Sequence, residues 1–280
     1  MAEILGTLGI NGQLGKALLY ELLGQIAKDN SASSSITDQS LPLCKSVPIS
    51  PSDAIPSVEI ISVDCRNHGQ SPRSHLMTHP LMAGDIAETL KHLNISRAVL
   101  IGHSMGGKVA MELALSMPDS VEKLIVEDIP PMVAPAPLIA GILSAMLNLD
   151  FTQVKNSNDA DGLLRESIPH DVIRAHVLTT LHEDVEGKFQ WLADIKNVLE
   201  NLKSLVEGNE SAIELKGRTP YTGETLFIAG GESQDLKNAD MNEIRKLFPK
   251  ADREVIPGAS HFVHTDKPQE FLEIVHKFLR

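Results

Sequence analysis

Short apolar runs rich in Val and Ile alternate along the chain with stretches whose apolar residues recur at helical spacing. "VEIISVD" (58–64), "AVLI" (98–101), "KLIVED" (123–128), "TLFIAG" (225–230) and "REVIPG" (253–258) are the strand-length runs, which predicts buried strands. Between them, Ile86, Leu90 and Leu93 share one helical face. Val109, Ala110, Leu113, Ala114 and Met117 share a second, stopped before Pro118, and Phe271, Ile274, Val275 and Phe278 share a third near the C-terminus. Strands separated by helices imply a mostly parallel sheet covered by helices on both faces, an α/β fold.

The alternation breaks twice. Residues 132–218 carry helical patterns such as "DVIRAHVLTTL" and "WLADIKNVLENLKSLV" with no convincing strand, so a helical insertion sits within the α/β core. Residues 29–57 are rich in Ser and Pro and lack periodicity, which predicts a long disordered loop. The expected organisation is core over 1–131, a helical cap over 132–218, and core again over 219–280. No internal repeat is visible.

The chemistry enters where the second strand-like run meets the second helical face. Gly102-His103-Ser104-Met105-Gly106 matches G-x-S-x-G, with a strand before it and a helix after it, as that motif requires. Glycines allow strand and helix to approach closely, and the sharp turn exposes the serine hydroxyl at the strand's C-terminal edge. The N–H groups at the start of the helix then face developing negative charge, the Met105 amide first among them. The simpler reading is a glycine-rich turn in which Ser104 only caps a helix.

"DCRNHGQSP" (64–72), "GHSMGGKVAMELAL" (102–115) and "IPGASHFVHTDKPQEF" (256–271) resemble three signature blocks of the α/β-hydrolase superfamily. The nearest branch joins eukaryotic abhydrolase-domain proteins to bacterial esterases, and the likeness spans about residues 58–280. The resemblance implies an α/β-hydrolase fold with a helical cap, and a serine hydrolase that cleaves carboxylic esters, lipid-like ones included, through an acyl-enzyme. In that scheme Ser104 is the nucleophile and His261, in the loop after the last core strand, is the general base; His264 is the weaker candidate.

The acid is less direct. After "TLFIAG" the loop reads Gly230-Gly231-Glu232-Ser233-Gln234-Asp235, and the usual aspartate position falls on Ser233. The other location known in the family is the end of the preceding strand, which is Asp128. Strand alternation sends Glu127 to the opposite face, and Glu232 and Asp235 are expected to be uninvolved. Asp194, in the cap, is a second choice, although the best register there puts Lys196 at the acidic position. The family's oxyanion loop corresponds to "ILGTLG" (4–9), with Leu5 in place of its histidine, so the second donor is the amide of Thr7 or Leu8. By the same comparison the chain starts inside the third strand, with the first two strands truncated. His68 is read as ordering its loop, with Arg66 and Asp64 pairing locally.

Composition narrows the partners. Of 280 residues 42% are hydrophobic, enough for a large core, and a net charge of −12 argues against nucleic acid, whose phosphates demand clustered Lys and Arg. The Met- and Leu-rich cap, with Met132, Leu138, Ile139, Ile142, Leu143, Met146 and Leu147, suggests an apolar acyl pocket. A small-molecule acyl ester is the expected partner; no cofactor, metal or transmembrane segment is expected, and oligomeric state is left open. The two cysteines, Cys44 and Cys65, form neither a metal-spaced pair nor a disulfide framework. An intracellular location follows, mitochondrial by family resemblance, although "MAEILGTLG" shows no basic leader. Two function classes remain: a serine esterase, or a catalytically impaired member of the fold that binds lipid or a partner. Dehalogenases carry an aspartate at the elbow, so Ser104 argues against that chemistry. For the esterase, activity is expected to rise with pH at a midpoint of roughly 6–7.5, the range of an ordinary histidine base.

Overall fold

The computed structural model of the protein describes residues 7–8, 34–35, 44–49, 58–133, 138–206 and 212–280. Its centre is a parallel sheet of β1 (Thr7–Leu8), β5 (Ala98–His103), β6 (Val121–Glu127), β9 (Glu224–Gly230) and β10 (Ala251–Ile256), in that spatial order. Beside β1 lies an antiparallel sheet of β2 (Ser34–Ser35), β3 (Cys44–Ile49) and β4 (Val58–Val63). Thus part of the stretch expected as a loop over 29–57 is strand, with Cys44 opposite Val63 and Ile49 opposite Val58. "CKSVPI" was hidden because Lys45, Ser46 and Pro48 interrupt its apolar residues. The remainder of 29–57 lies outside the described residues, as do Leu5 and Gly6.

Both faces of the parallel sheet are buried along β5 and most of β6 and β9, while the edge strand β10 exposes Asp252, Glu254 and Val255, and side-chain alternation divides the two faces. Val99 and Ile101 of β5, Ile125 of β6 and Leu226 and Ile228 of β9 pack under the C-terminal helix α10 (Pro268–Leu279), which buries Phe271, Leu272 and Val275. Ala98, Leu100, Leu124, Val126 and Phe227 face the other way, toward α1 (His79–His92) and α2 (Met105–Ser116). The four apolar residues expected on one face of the last helix all pack there, with Ile274 and Phe278 at its margin.

α2 departs from its predicted amphipathic form. Every residue from Met105 to Leu115 is buried, while Met117, expected on its apolar face, is 45% exposed. The helix ends at Ser116, and Met117 has a φ of −135°, so it leaves the helical face. The buried polar residues of α2 have partners: Glu112 pairs with Arg218 at 2.6 Å, and Lys108 Nζ donates to the carbonyls of Pro131 and Met132 at 2.9 and 2.6 Å.

The segment over the sheet's C-terminal edge contains α3 (Ile139–Leu147), α4 (Ser157–Leu164), α5 (Asp171–Leu178), α6 (Ile195–Glu200) and α7 (Leu202–Leu205). It also contains a hairpin, β7 (Leu181–Glu183) with β8 (Phe189–Trp191), where no strand was expected. Three-residue strands leave no readable period. The turn is built by Asp184, whose Oδ1 accepts the N–H groups of Glu186 and Lys188, and by Gly187 at φ +79°. Trp191 anchors the hairpin by donating from Nε1 to the Met146 carbonyl at 2.8 Å. Asn201 separates α6 from α7 and ties them to the core, accepting the Met77 N–H and donating to the His75 carbonyl, each at 3.0 Å. Two short core helices complete the chain: α8 (Met241–Leu247) and α9 (Val263–Asp266).

Candidate active site

Ser104 occupies the turn between β5 and α2 with φ +52° and ψ −120°, a strained backbone for a non-glycine residue. Its side chain makes no capping hydrogen bond to α2, which removes the simpler reading of this serine as a helix cap. The turn is possible because of its glycines: a Cβ on Gly102 would collide with the Gly106 carbonyl, and one on Gly107 would sit 2.7 Å from Ile129 Cγ2. The Ser104 N–H is fixed by the Glu127 carbonyl at 3.0 Å. Met105 opens α2, so its amide belongs to the helix N-terminal turn, whose first N–H groups have no partner inside the helix. β1 runs parallel to β5 with Thr7 opposite Ile101 and Leu8 opposite Gly102, so the backbone of both candidate donors lies along the strand leading to the elbow.

Asp128 follows β6 with φ +48° and is fully buried. Its Oδ1 accepts the Gly230 N–H at 3.0 Å, and its Oδ2 lies 2.8 Å from His261 Nδ1. Close contact with a carboxylate assigns the proton to Nδ1, which leaves Nε2 of the neutral ring as the basic nitrogen. The loop bearing His261 is held by His103, whose Nε2 donates to the His261 carbonyl at 2.9 Å. Burial drives His103 down to about 3, so this ring is neutral at physiological pH.

The structure adds a carboxylate that sequence reasoning set aside. Asp235 Oδ2 lies 3.1 Å from the same His261 Nδ1. Ser233, at the position where an aspartate was sought, instead accepts the Asp235 N–H on its hydroxyl at 3.2 Å. The turn therefore carries the acidic group two residues further along the loop. Its signal was the acid in "GGESQD", masked by a register tied to a single position. Burial pushes the His261 imidazole down, but hydrogen bonds and charge from Asp128 and Asp235 outweigh it and raise the ring to about 9.

The other candidates fall elsewhere. Asp194 caps α6, accepting the Asn197 N–H at 3.1 Å and its side-chain amide at 2.8 Å, and its own N–H donates to the Asn67 carbonyl at 2.7 Å. Lys196 pairs with Glu200 at 3.9 Å on the exposed side of that helix. His264 turns to the opposite face of the sheet edge and meets Glu127 at 2.7 Å. His68 is buried with Nδ1 3.1 Å from the Arg66 carbonyl, as a loop-ordering residue would be, and it also lines the cavity below. Arg66 does not pair with Asp64: its guanidinium grips both oxygens of Asp85 in α1 at 2.6 and 2.7 Å, because that helix places a carboxylate in line with the fork. Glu232 is exposed, and its backbone N–H donates to the Ala259 carbonyl at 2.8 Å.

Ser104, Met105, His261 and Asp235 open on one cavity of about 370 Å³ beneath the cap. Its walls are Leu138, Ile139, Ile142, Leu143 and Met146 around α3, Ile173 and Val177 of α5, and Ile195 and Val198 of α6. The lining is mostly hydrocarbon, with Ser104, His261, Asp235, His68, Lys108, His176 and Thr180 among its polar residues. A lining of this kind accepts an apolar chain. Among the described residues no helix is long and apolar enough to cross a membrane.

The sequence pattern of the alpha/beta hydrolase family matches residues 47–274. The chain is 38% identical over 225 residues to sn-1-specific diacylglycerol lipase ABHD11 of Mus musculus, covering 79% of this chain and 71% of that protein. It is 29% identical over 227 residues to Esterase YbfF of Escherichia coli (strain K12), covering 81% of this chain and 85% of that one. Among solved structures a marine microorganism esterase superposes with a TM-score of 0.78 at 26% identity, covering 99% of this chain and 95% of that chain. With the sheet, the elbow and these likenesses in agreement, the chain belongs to the alpha/beta hydrolase family.

Proposed function

We propose that the protein is a serine hydrolase that cleaves carboxylic esters with an apolar acyl chain through an acyl-enzyme. The ester-hydrolase class rests on relatives and neighbours named as lipases and esterases. The serine route rests on one observation above the others: a strained, uncapped Ser104 shares the mouth of an apolar cavity with a histidine held by a buried aspartate.

In this mechanism Ser104 Oγ attacks the ester carbonyl carbon and His261 Nε2 takes its proton. Asp128 keeps the opposite proton on Nδ1 and stabilises the imidazolium that forms. The Met105 amide, at the α2 N-terminus, and the amide of Thr7 or Leu8 receive the developing oxyanion. Collapse expels the alcohol, which takes the proton from His261. Water, deprotonated by His261, then attacks the acyl-serine and releases the acid. The hydrocarbon walls under α3, α5 and α6 hold the acyl chain, which makes lipid-like esters the favoured class. A mitochondrial location is carried over from the family resemblance alone, and imaging of the tagged protein tests it.

Hydrolysis of p-nitrophenyl esters of increasing acyl length by wild type and Ser104→Ala tests the reading. Turnover should vanish in the variant while the circular dichroism spectrum is unchanged, and kcat/KM of the wild type should rise as the chain lengthens. Full turnover in Ser104→Ala would remove the nucleophile assignment. Binding of fatty esters without turnover by the wild type would favour a lipid-binding member of the fold.

A further inference from the structure

His261 Nδ1 is approached by two carboxylates from different parts of the sheet edge, Asp128 after β6 at 2.8 Å and Asp235 in the loop after β9 at 3.1 Å. A carboxylate oxygen of each aspartate and a ring nitrogen of His261 lie within 4.8 Å of one another. Asp128 is sealed, with 0% of its side chain exposed, and its other oxygen is committed to the Gly230 N–H. Asp235 is 30% exposed and lines the cavity, so it reaches His261 from the substrate side. One Nδ1–H cannot give a full hydrogen bond to both at once. Two negative charges therefore converge on a ring that ordinarily needs one.

We propose that Asp235 is a second positioning carboxylate for His261, sharing with Asp128 the work of orienting the ring and stabilising its protonated form. The inference rests on the serine-hydrolase reading for its catalytic consequence but not for the pairing itself. Among the described residues, other charged or titratable groups around the ring are few. His103 packs at 4.7 Å between ring centroids and is neutral, while His264 is occupied by Glu127. His68, His176 and Lys108 line the same cavity. Lys108 is pushed down to about 7 by burial, and its ammonium is turned to the carbonyls of Pro131 and Met132. The pair of aspartates thus dominates the ring's charge balance. Sharing has two consequences: the imidazolium of the transition state is stabilised twice over, and the free enzyme holds its proton to higher pH, which moves activity to the alkaline side.

The test compares Asp235→Asn, Asp128→Asn and the double variant with wild type in two measurements. In the first, histidine ring NMR follows titration of His261 without substrate, its resonance assigned by its loss in His261→Gln. Asp235→Asn should lower the His261 midpoint by about one unit or more, the usual effect of losing a neighbouring charge. In the second, the pH profile of kcat/KM should move by the same amount in Asp235→Asn. Asp128→Asn should lose less than the ~10⁴-fold expected of a sole acid, with the double variant reaching that loss. An unmoved His261 titration in Asp235→Asn would overturn the proposal, as would a double variant no slower than Asp128→Asn. Should Asp128→Asn fail to fold, Asp235→Asn, at a partly exposed position, carries the test alone through its titration and profile. A shifted titration in a protein with no esterase activity would sink the serine-hydrolase reading and leave the shared histidine standing.

Discussion

Glu127 and Asp128 are neighbours at the end of β6, and each holds a histidine from the segment after β10, His264 and His261 respectively. The two pairs look alike in distance, 2.7 and 2.8 Å, but they stand on opposite sides of the sheet edge. Glu127 also accepts the His264 backbone N–H at 2.9 Å, and the His264 ring packs edge-on against Phe271 of α10. That pair is closed, with 13% and 1% of its side chains exposed, and it binds the loop to the core. His261 keeps 29% of its side chain exposed, at the mouth of a cavity it shares with Ser104. A carboxylate and a histidine in contact are therefore not enough for a general base; the ring must also have a nitrogen facing the nucleophile. Glu127 ends β6, whereas Asp128 leaves the strand with φ +48°, and this divergence separates a brace from a candidate catalyst.

The largest effect that sharpens this contrast belongs to His261→Ala. It should reduce kcat by on the order of 10⁶, about as much as Ser104→Ala, since nucleophile and base act as one unit. Thermal unfolding should barely change. His264→Ala should do the reverse. Turnover should stay within about tenfold of wild type, while stability falls by about 3–5 kcal/mol because Glu127 is left as a buried charge without its partner. Equal losses of turnover in the two variants would erase the distinction between the pairs.

The pairs also differ in their response to pH. With His261 raised to about 9, kcat/KM should climb as the ring loses its proton, toward a midpoint near 9 rather than the 6–7.5 range of an unperturbed histidine base. A plateau already reached at pH 7 would show that the carboxylates do not hold the proton in this way. Glu127 acts on stability instead. Burial would raise its carboxyl, but the charge and hydrogen bonds of His264 outweigh burial and hold it at about 2, below its ordinary 4.5. A depressed carboxylate stabilises the fold above its unfolded value and loses that contribution as pH falls through the folded value. Denaturant titrations should therefore show wild type losing stability between pH 4.5 and about 2, and Glu127→Gln losing less over that window.

The smallest effect concerns the cap. Asp194→Asn should change neither turnover nor stability by more than a few tenths of a kcal/mol, since Asn and Asp cap helices equally well. A collapse of turnover in this variant would return the acid to the cap.

Much of the fold was legible because its signals are local. The strands at 98–103 and 224–230 carry the apolar runs AVLI and LFIA, and the serine turn is a five-residue pattern set between a strand and a helix. Asp128 and Glu127 were separable by alternation with no knowledge of the tertiary fold. What escaped was set by packing or by irregular turns. The hairpin at 181–191 is too short to show a period and is stabilised by Trp191 reaching α3. β3 is interrupted in apolar character and exists through its pairing with β4. Asp235 reaches His261 only because the loop folds over the Ser233 hydroxyl, a turn that no spacing rule encodes. Lys108 and Glu112 would pass for a solvated helix face, yet both are buried with partners from residues 131, 132 and 218.

Whether the fold activates Ser104 for nucleophilic attack is read out by reacting the folded protein with a fluorophosphonate and measuring intact and peptide masses. A single phosphonate adduct should form on the peptide containing Ser104 in folded wild type and be absent after heat denaturation. Ser104→Ala should give no adduct, and His261→Ala a sharply slowed reaction. An adduct that persists in Ser104→Ala, or a folded wild type that cleaves esters yet never labels at Ser104, would contradict activation of Ser104.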